Sequence, residues 1–274
     1  MLIPRLRRAG LWMVLVAAAL PVRAQEVEQA PFITTPPEVV ERMLQLAGTG
    51  PGDFVIDLGS GDGRIVIEAA RKFGARGLGI ELDRALVEKS RASARSAGVA
   101  DRVSFVEGDV LVSDISRASV VTVYLLPALI RKLQPRFIEE LKPGTRVVSH
   151  AFALTSWKPD RVETVRISRP HPGQGDESTL FLWLVPADVR GLWTGSAAGG
   201  EWRLRIHQNY QDIEIEGNAA GKPLAAAKAS LSGREIAWEA DGVRFRGRAE
   251  PGGRIAGELR SAAGVVSLVL TRAR

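Results

Sequence analysis

The chain contains no cysteine, which removes disulfides, thiolate-held metals and thiol catalysis from consideration. Histidine is nearly as scarce, with three in 274 residues. His171 falls in a loop and His207 on a wet strand face, with no acid pair or third ligand near either, so no metal site is expected. Long apolar runs are missing too. The block Leu11–Leu20 is too short to span a bilayer comfortably. It follows Arg5, Arg7 and Arg8 and precedes Val22-Arg23-Ala24, so residues 1–24 are expected to be a cleaved signal peptide, with an uncleaved membrane anchor as the alternative. The first reading implies an exported protein, periplasmic or membrane-associated; the second leaves the folded part anchored in the cytoplasm. Without residues 1–24, 33 basic residues face 31 acidic ones, and the net charge drops from +6 to +2. The basic excess of the full chain is therefore poor evidence for nucleic-acid binding, and no nucleic-acid partner is expected.

What the chain does hold is a change of pattern. From Phe32 to about Pro186, short β-branched runs alternate with helical stretches, as in a sheet of parallel strands covered by helices. Strands are predicted at Phe54–Leu58, Leu78–Glu81, Val103–Glu107, Val120–Leu125 and Arg146–His150, with helices at Arg64–Phe73, Ala85–Ala97 and Leu129–Leu141. A closing pair of strands, Thr164–Ile167 and Thr179–Val185, flanks the loop His171–Gly175. Beyond Pro186 the period becomes two. Trp202, Leu204 and Ile206 alternate with Arg203, Arg205 and His207, and Val243 and Phe245 alternate with arginines after the turn Asp241-Gly242. One face of these strands is wet, so they are antiparallel. The expected organisation is an α/β domain over residues 31–186 with a seven-stranded sheet, followed by a small antiparallel all-β domain over 190–274, a meander closed into a barrel or sandwich. Trp193, Trp202 and Trp238 in that tail would serve either as a ligand face or, more commonly on alternating strand positions, as core.

The chemistry concentrates in Val55–Ile67, VIDLGSGDGRIVI, a glycine-rich turn from strand to helix. Such a turn serves several nucleotide binders. A phosphate-binding P-loop needs Gly-Lys-Ser/Thr at its end, and here the residues are Gly63-Arg64-Ile65. A dinucleotide fold wants glycine at position 64 and no acids beside the pyrophosphate. This chain has Arg64, with Asp57 and Asp62 at the shoulders of the loop, which also disfavours an NAD-dependent enzyme. Two carboxylates repel a pyrophosphate and attract a cation. S-adenosylmethionine, which carries an ammonium and a sulfonium and no phosphate, fits that charge pattern. Asp57 at the strand tip would accept from its amino group, while Gly59 and Gly61 would let the backbone approach the methionyl part. Glu81 ends the next strand at the spacing where an acid takes both ribose hydroxyls, and Asp109, after the third, would accept from the adenine amino group.

These residues resemble the class I S-adenosylmethionine-dependent methyltransferases over roughly Pro31–Val185. More narrowly, Asp57–Ile67 is similar to the lysine methyltransferases that modify the ATP synthase c subunit and to their prokaryotic relatives, and Pro31-Phe32-Ile33-Thr34-Thr35-Pro36 resembles that family's entry segment. The resemblance implies a Rossmann-like seven-stranded methyltransferase sheet. It also implies that Asp57, Gly59 and Gly61 line the methionine moiety, Glu81 the ribose and Asp109 the adenine, with Thr35 a further cofactor contact. Tyr124-Leu125-Leu126-Pro127 stands where enzymes methylating adenine, cytosine or glutamine nitrogens carry Asn/Asp-Pro-Pro-Tyr, which argues against planar amide-like acceptors. An amine needs only an aromatic-walled channel that aligns its lone pair with the S-methyl bond. Tyr124 and His150, both at strand ends on the cofactor side, are the candidates for that wall, or else a core tyrosine and a structural histidine. The expected activity is N-methylation of a protein lysine or other amine, with membrane-associated proteins among the candidate substrates. The alternative, motivated by the export signal, is a non-catalytic binding protein on the same fold.

Overall fold

The computed structural model describes residues 33–168, 175–197 and 199–273. The expected signal at 1–24, Pro31, Phe32 and His171 lie outside them. The described residues belong to one compact unit containing two separate sheets.

The first sheet has seven strands in the order β3-β2-β1-β4-β5-β7-β6. Strands β1 (Phe54–Leu58), β2 (Arg76–Glu81), β3 (Val103–Glu107), β4 (Val120–Val123) and β5 (Arg146–His150) run parallel, and β7 (Glu177–Leu184) and β6 (Arg161–Arg166) close the edge antiparallel. Helices α2 (Arg64–Phe73), α3 (Arg84–Ser96) and α4 (Pro127–Glu140) connect the parallel strands. Buried Ile56, Leu58, Val121, Val123 and Val147 form a core with Leu133 and Phe137 of α4, while Val55, Val120 and Val148 pack with Ile65 and Ala69 of α2. Apolar side chains on both faces explain why these strands read as continuous runs rather than alternations.

Two elements depart from the sequence reading. A helix, α1 (Pro37–Leu46), precedes β1 where none is anticipated. Its proline occupies a first-turn position, where no amide is needed, and Val39, Val40, Met43 and Leu44 bury one face against the sheet. Strand β4 stops at Val123 rather than Leu125. Tyr124, Leu125 and Leu126 thus leave the sheet as a loop before α4, above the carboxyl ends of β1 and β4.

The second sheet has nine antiparallel strands, β8 (Gly191–Ala197), β9 (Gly200–Asn209), β10 (Asp212–Ala219), β11 (Lys222–Ala225), β12 (Lys228–Ser232), β13 (Glu235–Ala240), β14 (Val243–Glu250), β15 (Arg254–Ser261) and β16 (Gly264–Arg272). Their order is β11-β10-β9-β8-β16-β15-β14-β13-β12, a meander in which the first and last strands pair. Trp193, Trp202 and Trp238 are buried in its single core, so they build the fold. The two sheets meet at the β9–β10 turn. There Tyr210 stacks on Trp157 at 5.4 Å and 8°, and its hydroxyl accepts from Gln134 Nε2 at 2.9 Å.

Candidate active site

Asp57 lies in β1 one residue before its end and is almost wholly buried. Its Oδ1 accepts from the Thr122 hydroxyl of the neighbouring strand at 2.7 Å, and its Oδ2 has no donor among the described residues. Burial above all, then the nearby charges of Glu81 and Asp62, push its carboxyl up to about 7 against the pull of Thr122. A buried carboxylate with one free oxygen invites a cationic ligand. After Leu58 the chain turns through Gly59 at φ +78°, where the amides of Gly59 and Ser60 both donate to the Ile80 carbonyl. A Cβ at position 59 would stand 2.7 Å from Leu125 Cδ2, in a conformation that L residues rarely adopt. Close packing of the loop falls on Gly63, where a Cβ would strike the Phe105 ring at 2.7 Å. That is why Arg64 is tolerated next to it: the helix-to-strand contact is made one residue earlier.

Glu81 closes β2 with both oxygens engaged, Oε2 by the Gly61 amide at 2.8 Å and Oε1 by the Asp83 amide at 3.0 Å. A carboxylate offers about four acceptor sites, so it pins the glycine loop and retains capacity for a diol. Asp109 is exposed just beyond β3, with Oδ1 held by the Leu111 amide at 2.8 Å. Asp62, read from sequence as a second free acid, is instead paired. Arg64 donates to it through Nε at 2.9 Å and Nη2 at 2.7 Å, and although burial opposes ionisation, this pairing holds its carboxyl below the usual range. Asp57 alone is left to meet a positive charge.

Tyr124 and His150 are brought into contact. Their rings are 4.0 Å apart at 36°, and Phe152 stacks with Tyr124 at 6.4 Å. Phe152 reaches that position because Ala151 bends the chain at φ +66°, a strained turn of the kind that accumulates at functional sites. His150 itself is fully buried behind the wall. Burial pushes its imidazole down to about 4, so it is neutral, and its ring nitrogens face the Thr35 hydroxyl at 3.3 Å and the Ser178 hydroxyl. Thr35 is buried, and its carbonyl accepts from Arg64 Nη1 at 2.9 Å. Among the described residues no group of three or more His, Asp or Glu side chains is placed to hold a metal.

A family model described as the ANTKMT methyltransferase domain matches residues 57–161. A protein-lysine N-methyltransferase of Saccharolobus islandicus is 43% identical over 160 residues, which span 58% of this chain and 96% of the relative. The chain belongs to the S-adenosylmethionine-dependent methyltransferases. The human lysine N-methyltransferase named for the ATP synthase c-subunit is 34% identical over 132 residues, covering 48% of this methyltransferase and 56% of the human enzyme. A crystal structure of an RNA methyltransferase from Salinibacter ruber, in complex with S-adenosyl-L-homocysteine, is 50% identical with a TM-score of 0.51, covering 57% of this chain and 95% of that one.

The cradle fits the cofactor. Asp57 has a free oxygen for an ammonium, and Ser60 Oγ is buried in the loop with no partner among the described residues. One consequence is a pH dependence. Only ionised Asp57 attracts the ammonium, and Asp62 is already neutralised, so affinity for S-adenosylhomocysteine rises about tenfold per pH unit up to about 7 and then levels off. Thr122→Val, which removes the group opposing the upward shift, moves that midpoint to higher pH. Calorimetric titrations between pH 5.5 and 8 check both; a flat profile contradicts the assignment. Three features of the site escape sequence reasoning: the Thr122 donor, the Phe152 stack and the Arg64 bridge to Thr35. Each depends on a contact between distant segments, although the unusual arginine after Gly63 does flag the last.

Proposed function

We propose that this methyltransferase transfers the methyl group of S-adenosylmethionine to the side-chain amine of a protein lysine. The observation that carries the reading is the aromatic wall beside the cradle, Tyr124 and Phe152 with His150 behind them, which offers neither the amide-recognising motif nor a charged group. The names of the relatives from Saccharolobus islandicus and human support it. When bound, S-adenosylmethionine supplies a methyl carbon made electrophilic by its sulfonium. Asp57 would hold the ammonium of the methionyl end, Glu81 the ribose and Asp109 the adenine edge. Tyr124 and Phe152 flank the incoming side chain and align its lone pair for in-line attack, and most of the rate comes from that positioning. His150 is an unsuitable base, since it is buried and both ring nitrogens face hydroxyls. The lysine proton therefore leaves to water before attack.

Labelled S-adenosylmethionine, incubated with the protein and with separate protein and RNA fractions of a cell extract, tests the acceptor. Acid hydrolysis of the labelled product should release methyl-lysine. Label recovered only as a methylated nucleoside would replace lysine by the acceptor named for the Salinibacter ruber structure. The site and the relatives give the non-catalytic alternative no support.

A further inference from the structure

A line of polar contacts runs from the glycine loop to the aromatic wall through one residue that belongs to neither. Asp62, in the loop, grips Arg64 with both carboxylate oxygens. Arg64 Nη1 donates to the Thr35 carbonyl at 2.9 Å. The Thr35 hydroxyl meets His150 Nδ1 at 3.3 Å, and His150 Nε2 meets the Ser178 hydroxyl of β7. Thr35, His150 and Ser178 are all buried. Tyr124 leans on the imidazole at 4.0 Å. Both ring nitrogens of a neutral histidine are satisfied here because each faces a hydroxyl, which donates or accepts as the tautomer requires.

We propose that Arg64 and Ser178 are positioning residues for methyl transfer, which couple the state of the glycine loop to the aromatic wall by clasping Thr35 through the loop on one side and through His150 on the other. The loop's geometry is set where the cofactor lies, and the wall's where the acceptor lies. Thr35 directly precedes Pro36 and α1, whose buried face fixes it against the sheet. The segment is thus anchored downstream and gripped at Thr35. Any shift of the Asp62–Arg64 pair on cofactor binding is passed to Thr35, then to the imidazole and the Tyr124 ring against it. Arginine is needed for this because its planar fork makes two bonds to Asp62 and a third to the Thr35 carbonyl, whereas a lysine ammonium cannot span both. Ser178 is needed because it holds His150 from the opposite side, which keeps the imidazole from following solvent or rotating away from Tyr124. The inference rests on the cofactor site and not on the acceptor, so it stands whichever acceptor is methylated.

Hydrogen exchange of the full chain, read on peptides covering residues 33–46 with and without saturating S-adenosylhomocysteine, is the test. Binding of the probe by each variant is checked by calorimetry. In the unsubstituted protein the probe should slow exchange there by about tenfold, within the range of ordinary coupling between sites. Arg64→Lys and Ser178→Ala should bind the probe and yet lose most of that protection, and Ser178→Thr, which keeps the hydroxyl, should restore it. A merely structural role would change exchange equally with and without the probe and leave their ratio intact. Protection in Arg64→Lys and Ser178→Ala equal to that of the unsubstituted protein would overturn the proposal, as would failure of Ser178→Thr to differ from Ser178→Ala.

Discussion

Asp57→Asn will abolish cofactor binding and, in the same step, stabilise the empty protein at alkaline pH. The first effect follows from removing one partner of a buried ion pair, which costs roughly 3–5 kcal/mol and so weakens S-adenosylhomocysteine by about 100-fold or more. The second follows from linkage. The Asp57 carboxyl titrates near 3.8 when solvated and at about 7 in the fold. Its folded value is raised, so the stabilisation it lends is complete below about 3.8 and is lost as pH rises through about 7. At pH 8 the empty protein therefore carries a buried charge at a cost of up to about 4 kcal/mol. Asparagine removes that charge while still accepting from Thr122. Thermal denaturation should show the variant melting higher at pH 8 and no higher at pH 4. An asparagine variant that bound the probe within threefold of the original would remove Asp57 from the site.

Tyr124→Ala should separate binding from catalysis. The ring lies against His150 and Phe152 and is only half-buried, so its loss widens the acceptor channel without touching Asp57, Glu81 or the glycine turn. Misplacing an acceptor by about 1 Å costs on the order of 100-fold in rate. Turnover, followed as methyl-lysine formed from labelled cofactor, should fall by that factor while affinity for S-adenosylhomocysteine stays within about threefold. Tyr124→Phe keeps the ring and should keep most of the rate. If instead both variants lose rate equally, the hydroxyl rather than the ring is at work, and burial already pushes that hydroxyl's ionisation upward, away from base chemistry.

Much of the fold is legible in the sequence because its strands carry their burial in their composition. Val120 to Val123 is apolar but for Thr122 and is covered on both faces, whereas Trp202, Leu204 and Ile206 alternate with Arg203, Arg205 and His207 and are covered on one. The cradle is legible for a related reason: Asp57, Gly59, Gly61 and Glu81 lie at strand ends and turns, where position follows from local pattern. Helix α1 has a readable apolar spacing, but Pro36-Pro37 at its start reads as a break. The linkage between Asp62, Arg64, Thr35, His150 and Ser178 is different in kind. Its two hydroxyl contacts to the imidazole join residues 115 and 28 apart in sequence, and nothing local fixes either. Asp62 shows the same limit in miniature, since its charge is plain and its pairing with a partner two residues away is a matter of side-chain direction.

The pairing of β8 with β16 bears on the order in which the molecule assembles. As the chain leaves the ribosome, every strand of the cofactor-binding sheet is present once Leu184 has emerged. The second sheet cannot close then, because the partner of β8 is made of residues 264–272. Until those residues arrive, β8 and β15 are open edges, the kind that pair with other chains. The cofactor-binding half is thus ready before the second sheet, and a chain cut short between β9 and β16 carries a complete cradle attached to an adhesive tail.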